Sequence, residues 1–230
     1  MCGRYTLMAP FQEIINRINA VSSNPEQTYQ PCYNIAPGMR VLAVINDGRQ
    51  NRVGYLRWGL IPPFAKDEKI GYKLINARAE TLMERPSFRP AFLSRRCLII
   101  ADSFYEWIHD AAGKTKQPMR IQLSSQPLFM MAGLWERWKN PDGETLYSCT
   151  IITTEANTLM APIHNRMPVI LRPEDEARWL DPTLHSPEML QKMLCPFAPE
   201  QMSAYPVSQA VNSVKNDHPD LIQPLPETLR

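Results

Sequence analysis

Apolar residues in this chain gather in short runs of strand length, and no other feature restricts its fold as strongly. VLAVIND (41–47) and RVGYLRWGL (52–60) flank Asp47-Gly48, a dipeptide that favours the positive-φ turn of a hairpin. RCLIIADSFYEW (96–107) and PMRIQLSS (118–125) read as two further strands joined by the turn DAAGKTKQ. PLFMMAGLWERW, TLYSCTIITT and MPVILRP continue the sheet. Helical spacing is confined to the ends. Phe11, Ile14, Ile15 and Ile18 predict an amphipathic helix over 10–20, and Ser186-Pro187 caps a short one in EMLQKML. The pattern is that of an α+β fold, one β-rich domain over residues 1–230 with a few peripheral helices. Twenty-two prolines against nine glycines imply fixed loops, and no repeat or linker breaks the chain.

No run of about 18 apolar residues is present, so no membrane-spanning helix is expected. MCGRYTLMAP lacks the basic-then-apolar order of a secretory leader, which points to the cytoplasm, in association with the nucleoid. The five cysteines are scattered without a CxxC, so neither a metal site nor a disulfide framework is expected. Cys97 and Cys149 are expected to be buried in strands and Cys195 to be a loose thiol. Net charge is only +2, but it is unevenly spread. Residues 66–96 carry eight basic against four acidic side chains, whereas residues 171–200 carry three against six. One face is thereby suited to phosphate.

The chain opens Met-Cys-Gly. Removal of the initiator methionine would leave Cys2 with a free α-amine beside its thiol. The α-amine has a pKa of about 7.7–8.0 against about 10.4 for lysine, so near neutrality roughly a third of it is unprotonated. Such an amine attacks an aldehyde to give a Schiff base, and the adjacent thiol can close on the imine carbon as a thiazolidine. Met-Cys-Gly also opens the N-terminal-nucleophile glutamine amidotransferases, but no Asn-Gly-Glu glutamine-pocket loop follows here.

A set of blocks runs through the chain in order. They are MCGRYT (1–6), YNIAPG (33–38), LRWGLIPP (56–63), INARAET (75–81), SFRPAF (87–92), RCLIIADSFYEW (96–107), AGLWE (132–136), TIITTEAN (150–157), IHNRMPVIL (163–171) and VSQAVNSVKN (207–216). In this combination the chain resembles the SRAP family, the SOS-response-associated peptidases understood as abasic-site shield proteins. The resemblance implies a β-rich domain with a groove for single-stranded DNA and no cofactor or metal. It also implies Cys2 as covalent nucleophile, Asn76 as the amide holding the amine or sugar oxygen, Glu106 as general acid/base and His164 as a second proton donor. Arg4, Arg78 and Arg166 become phosphate clamps, with Arg89 of the basic stretch also on DNA. The chain departs from the family in two places: Phe64-Ala65 stands where a tryptophan is frequent, and Asn165 where aspartate is common.

Each role has a chemical reason. An abasic deoxyribose is mostly a closed hemiacetal, and opening it requires a proton delivered to the ring oxygen and another removed from the anomeric hydroxyl. A carboxyl beside an imidazole serves those transfers. Glu106 follows an apolar run, where partial burial would raise its pKa. His109, in a turn after its strand, His185 and His218 read as surface positions. Arginine grips two phosphate oxygens at once without reading sequence. Trp58, Phe64 and Trp107 are candidates to stack on bases or fill the void at the lesion, whereas Trp135 and Trp138 read as packing residues. The expected partner is single-stranded DNA containing abasic sites, handled by a monomer. Two other readings stay open: a peptidase acting on other proteins, its family activity otherwise confined to removing Met1, and a noncovalent single-strand binder.

Overall fold

The Asp47-Gly48 hairpin forms where the dipeptide demands it. The Asp47 carboxylate accepts the amides of Arg49 and Gln50 at 2.9 Å each, and Gly48 takes φ +89°. Those bonds and the Arg52 guanidinium lower the Asp47 pKa to about 2, with the Arg52 hydrogen bond the largest cause. A computed structural model of the chain describes residues 2–18, 21–22, 29–109 and 116–226.

In chain order the strands and helices begin with β1 (Arg4–Leu7), α1 (Phe11–Ile18), β2 (Val21–Ser22), β3 (Cys32–Ile35), β4 (Arg40–Asn46), β5 (Asn51–Trp58) and β6 (Asn76–Arg78). They continue with α2 (Arg89–Ser94), β7 (Arg96–Ala101), β8 (Ser103–His109), β9 (Lys116–Leu123), β10 (Phe129–Lys139) and β11 (Thr145–Glu155). β12 (Arg166–Pro168), α3 (Pro173–Leu180), α4 (Pro187–Gln191) and β13 (Met202–Pro206) complete the set. One sheet has the order β13-β9-β8-β1-β3, and the other β12-β11-β10-β7-β4-β5-β2, with β6 beside β11. This is the β-rich α+β architecture expected from the strand-length apolar runs, and α1 falls within the expected 10–20 window. Ser186 caps α4 by accepting the Met189 amide. His109 is the last residue of β8, opposite Lys116, rather than a turn residue. Residues 110–115 of the anticipated turn lie outside the described residues.

The sequence run 96–107 is not one strand. β7 ends at Ala101 in the second sheet, and β8 starts at Ser103 in the first. Asp102 makes the corner. Its amide donates to Thr6 O at 3.1 Å, and its carboxylate accepts from the Thr6 hydroxyl and the Met8 amide. With its backbone amide given to Thr6 of β1 and its carboxylate anchored by Thr6 and Met8, Asp102 leaves the β7 ladder, and the chain turns there and carries β8 to the side of β1. The Asp102 carboxyl is pushed up by burial, against the pull of those hydrogen bonds.

Between the sheets lies a continuous apolar core that includes Tyr5, Ile14, Trp58, Phe92, Phe104, Phe129 and Trp179. Cys97 and Cys149 lie within it, and Cys195 is exposed. Trp58 is 1% exposed, with its ring edge-on to Tyr5 at 5.4 Å and its indole N–H on Ile75 O at 2.8 Å. This corrects the stacking role: a ring enclosed by protein on both faces has none left for a base. The turn after it requires Gly59, whose φ is +127° and whose missing Cβ would stand 2.7 Å from Gly71 O.

Two of the eight basic residues in 66–96 are likewise diverted from any phosphate. Arg95 pairs with Glu136 at 2.6 Å. Arg96, 4% exposed, donates to the carbonyls of Phe92, Leu93, Trp179, Asp181 and Leu184, sewing α2 to the end of α3 and the loop beyond it. Arg96→Met keeps the apolar stem but strands these carbonyls. A loss of at least about 3 kcal/mol is expected in urea-induced unfolding, from the cost of buried unsatisfied polar groups. A change under 1 kcal/mol would mean that water replaces the guanidinium.

Candidate active site

Cys2 stands immediately before β1, the strand between β3 and β8. Arg4 lies opposite Tyr105 in the β1–β8 ladder. Continuing that antiparallel register brings Glu106 to the Cys2 end of β1. Cys2 is fully buried and Glu106 is 2% exposed. Burial, and then the neighbouring Glu106 charge, hold the Cys2 thiol well above its usual range, so near neutrality it is a protonated thiol. From the other side, Asn76 at the start of β6 donates its amide to Cys2 O at 2.8 Å. Its own side-chain oxygen is buried and accepts no hydrogen bond among the described residues. Three of the expected residues therefore meet at the chain terminus, brought from β1, β6 and β8.

β6 owes its place to β11. Asn76 and Arg78 pair in parallel with Ile151 and Thr153. On the opposite edge of β11, Arg166 in β12 lies across from Glu155, and Pro168 across from Thr153. His164 leads into β12, and its Nδ1 accepts the Arg166 amide at 2.9 Å, so the neutral ring carries its proton on Nε2. The turn before it is fixed by Asn157, which accepts the Met160 amide and donates to Phe197 O. Sequence reasoning gave Asn157 no role, although it closes the block TIITTEAN.

The remaining expected DNA contacts differ in availability. Arg78, Arg89 and Phe64 are exposed, Phe64 at 62%. Arg4 is committed within the protein: Nη1 donates to Asn34 Oδ1 at 2.7 Å and Val211 O at 2.6 Å, and Nη2 to Asn212 O at 3.2 Å. Asn34, which sequence reasoning also passed over, is 1% exposed and donates to the carbonyls of Val211, Ser213 and Asn216. The half-buried Trp107 donates its indole N–H to Asn212 Oδ1 at 2.7 Å. Arg4, Asn34 and Trp107 together fasten the 211–216 segment beside β1. Arg166 grips Glu80 through both terminal nitrogens, at 2.8 and 2.9 Å.

A cavity of about 490 Å³ lined by Tyr29, Cys32, Met39, Arg40, Tyr55 and Asp217, among others, includes none of Cys2, Asn76, Glu106 or His164. Among the described residues no group of three or more His, Cys, Asp or Glu side chains is placed to hold a metal ion, and no helix is long and apolar enough to cross a membrane.

Thiol exposure gives a direct check on this geometry. An aromatic disulfide reagent with peptide mapping should modify Cys195 first and the half-buried Cys32 more slowly. In protein that retains Met1, Cys2, Cys97 and Cys149 should react only as the protein unfolds. Rapid native-state labelling of Cys2 in that unprocessed form would contradict its enclosure.

The chain that builds this site is similar to known proteins along most of its length. A protein of Bacillus subtilis strain 168 named abasic site processing protein YoqW is 57% identical over 97% of this chain and 99% of its own. A Gallus gallus protein named abasic site processing protein HMCES is 32% identical, over 87% of this chain and 68% of its own. Among solved structures, a Bacteroides thetaiotaomicron protein superposes with a TM-score of 0.88 at 29% identity, covering 97% of this chain and all of that one. Residues 1–214, from the buried cysteine to the segment fastened by Asn34, match the family described as SOS response associated peptidase, and the chain belongs to that SRAP family.

Proposed function

We propose that this protein processes abasic sites in single-stranded DNA, linking itself to the open sugar through Cys2 once Met1 has been removed. The observation that carries this reading is the enclosure of Cys2 between the Asn76 amide and the Glu106 carboxylate. The names of relatives at 57% and 32% identity support the substrate class.

The chemistry begins with hydrolysis of the Met1–Cys2 bond, which adds water across the peptide and frees the α-amine. Glu106 and His164 then exchange protons with the sugar, one delivering a proton to the ring oxygen as the other takes the anomeric hydroxyl proton. The amine adds to C1′, and loss of water gives the imine. The Cys2 sulfur adds to the same carbon while its proton passes, through a base such as Glu106, to the imine nitrogen. The product is a five-membered thiazolidine with every phosphodiester intact. Closure matters because a bare imine invites β-elimination, and a broken single strand has no complement to hold its ends. Asn76 holds the terminus in place, and its unfilled oxygen is an acceptor suited to the new amine. Arg78, Arg89 and Arg166 bind phosphates, and Phe64 and Trp107 offer aromatic surface beside the lesion. Arg4 shapes the groove wall through the 211–216 segment.

The test pairs an abasic oligonucleotide on a denaturing gel with the intact mass of the free protein. A denaturation-stable adduct, absent when the aldehyde is reduced beforehand, and a mass lacking Met1 are expected. Adduct formation by material that retains Met1 would defeat the α-amine route. Turnover of an unrelated peptide regardless of DNA would favour a general peptidase instead. Equal binding of abasic and intact strands without an adduct would leave a noncovalent binder.

A further inference from the structure

The proposed phosphate clamp is already closed on a carboxylate. A guanidinium offers two-pronged edges, and Arg166 has its end-on pair bound to Glu80, Nη1 to Oε1 at 2.8 Å and Nη2 to Oε2 at 2.9 Å. The other proton of Nη2 goes to Thr153 O at 2.6 Å, which spends one prong of the side-on edge shared with Nε. With both edges engaged, a phosphate finds no free fork on Arg166. The two partners differ in freedom: the Arg166 side chain is 14% exposed, and Glu80 is 49% exposed. Arg166 is thus the fixed member, and Glu80, on a single helical turn Ala79–Thr81, is the member able to leave. The Arg166 hydrogen bond is the largest cause lowering the Glu80 pKa, with the Arg78 charge a smaller one, so at neutral pH Glu80 is an anion facing two of the proposed phosphate-binding arginines.

We infer that Glu80 is an affinity-limiting residue, an internal phosphate mimic that occupies the Arg166 fork and must be displaced before a DNA strand can engage it. This rests on the DNA-processing reading above. Intact and abasic strands carry the same phosphates, so displacement weakens the encounter with both. Only the abasic strand has a carbonyl that converts the weak encounter into a bond. An intact strand leaves quickly, and undamaged DNA does not titrate the protein.

Fluorescence anisotropy of the full-length protein with an intact single-stranded oligonucleotide tests this apart from covalent chemistry. Glu80→Gln keeps size and hydrogen bonding but removes the charge, and it should tighten binding about two- to fivefold, the scale of one partly exposed ion pair. The dependence of log affinity on log salt should steepen by about 0.7, one added phosphate contact on a single strand. In an Arg166→Ala background the same substitution should gain nothing. Intact strands should also compete more effectively against adduct formation by Glu80→Gln than by the parent protein. Unchanged or weaker binding by Glu80→Gln would overturn the inference, the second outcome making Glu80 a strut that orients Arg166. A gain that survives in the Arg166→Ala background would also overturn it, since Glu80 would then act only as diffuse charge. If the parent protein binds intact strands but forms no abasic adduct, the covalent reading fails while the Glu80 result stands or falls by itself. If it binds no strand at all, both fail.

Discussion

Replacing Cys2 with alanine should abolish the denaturation-stable adduct completely while leaving a weaker, reversible one. Alanine at position two keeps the α-amine after methionine removal, so the imine to C1′ can still form. The second ring bond cannot form. The imine then hydrolyses, or loses the 3′ phosphate by β-elimination, so the gel should show free and cleaved oligonucleotide in place of the shifted band. Borohydride added during the reaction should restore a band by reducing the imine to an amine, and it separates loss of the thiol from loss of the site. The substitution removes one sulfur from an enclosed position and should cost about 1 kcal/mol of stability, so a thermal melt will still report a folded protein. A stable adduct from Cys2→Ala at the parent level would mean that another residue supplies the linkage.

That Asn76 and Glu106 were named beside Cys2 only through the family resemblance, while pattern alone read strands and misjudged some surroundings, follows from what a sequence records. Alternation and turn dipeptides mark strands because they are local, and so the β4–β5 hairpin, β9, β10 and β11 were readable. The sheet a strand joins is decided by partners far away in the chain. Nothing within 96–107 says that Asp102 will take donors from Thr6 and Met8 and send the two halves of an apolar run to different sheets. The short strands β1, β3 and β13 escaped for a related reason: at four or five residues, their stability comes from neighbours rather than from a period.

Charge was harder to read than hydrophobicity. An arginine has the same letter whether it faces phosphate or a carbonyl cage, and the basic balance over 66–96 included Arg95 and Arg96, both spent internally. Arg4 and Arg166 show the intermediate case, with donors aimed at a loop and at Glu80. Trp58 illustrates the converse limit. A tryptophan at the end of a strand pattern, between Arg57 and Gly59, reads as aromatic surface open to a base, but the pairing of β5 with β11 at Cys149 turns it into the core.

Glu106→Gln should slow single-turnover adduct formation by about 10²- to 10⁴-fold, the range for a lost general acid/base. The side chain is 2% exposed, and glutamine matches its shape, so the change is chemical rather than steric. Two effects of the charge oppose each other. The Glu106 carboxylate is one of the two causes holding the Cys2 thiol above its ordinary pKa, so its removal makes the thiolate easier to reach and should by itself assist closure. It also removes the group proposed to shuttle protons through ring opening, dehydration and closure. If proton shuttling dominates, the rate falls steeply, and the residual rate should rise with pH as Cys2 ionises more readily than in the parent. If thiol ionisation limits the reaction, Glu106→Gln should instead exceed the parent by more than about threefold. A parallel anisotropy measurement on an intact strand assigns any loss to chemistry rather than binding. A rate within about threefold of the parent across pH 6–9 would remove Glu106 from the proton path and leave His164, whose Nε2 carries the proton in the neutral ring, as the group that opens the sugar.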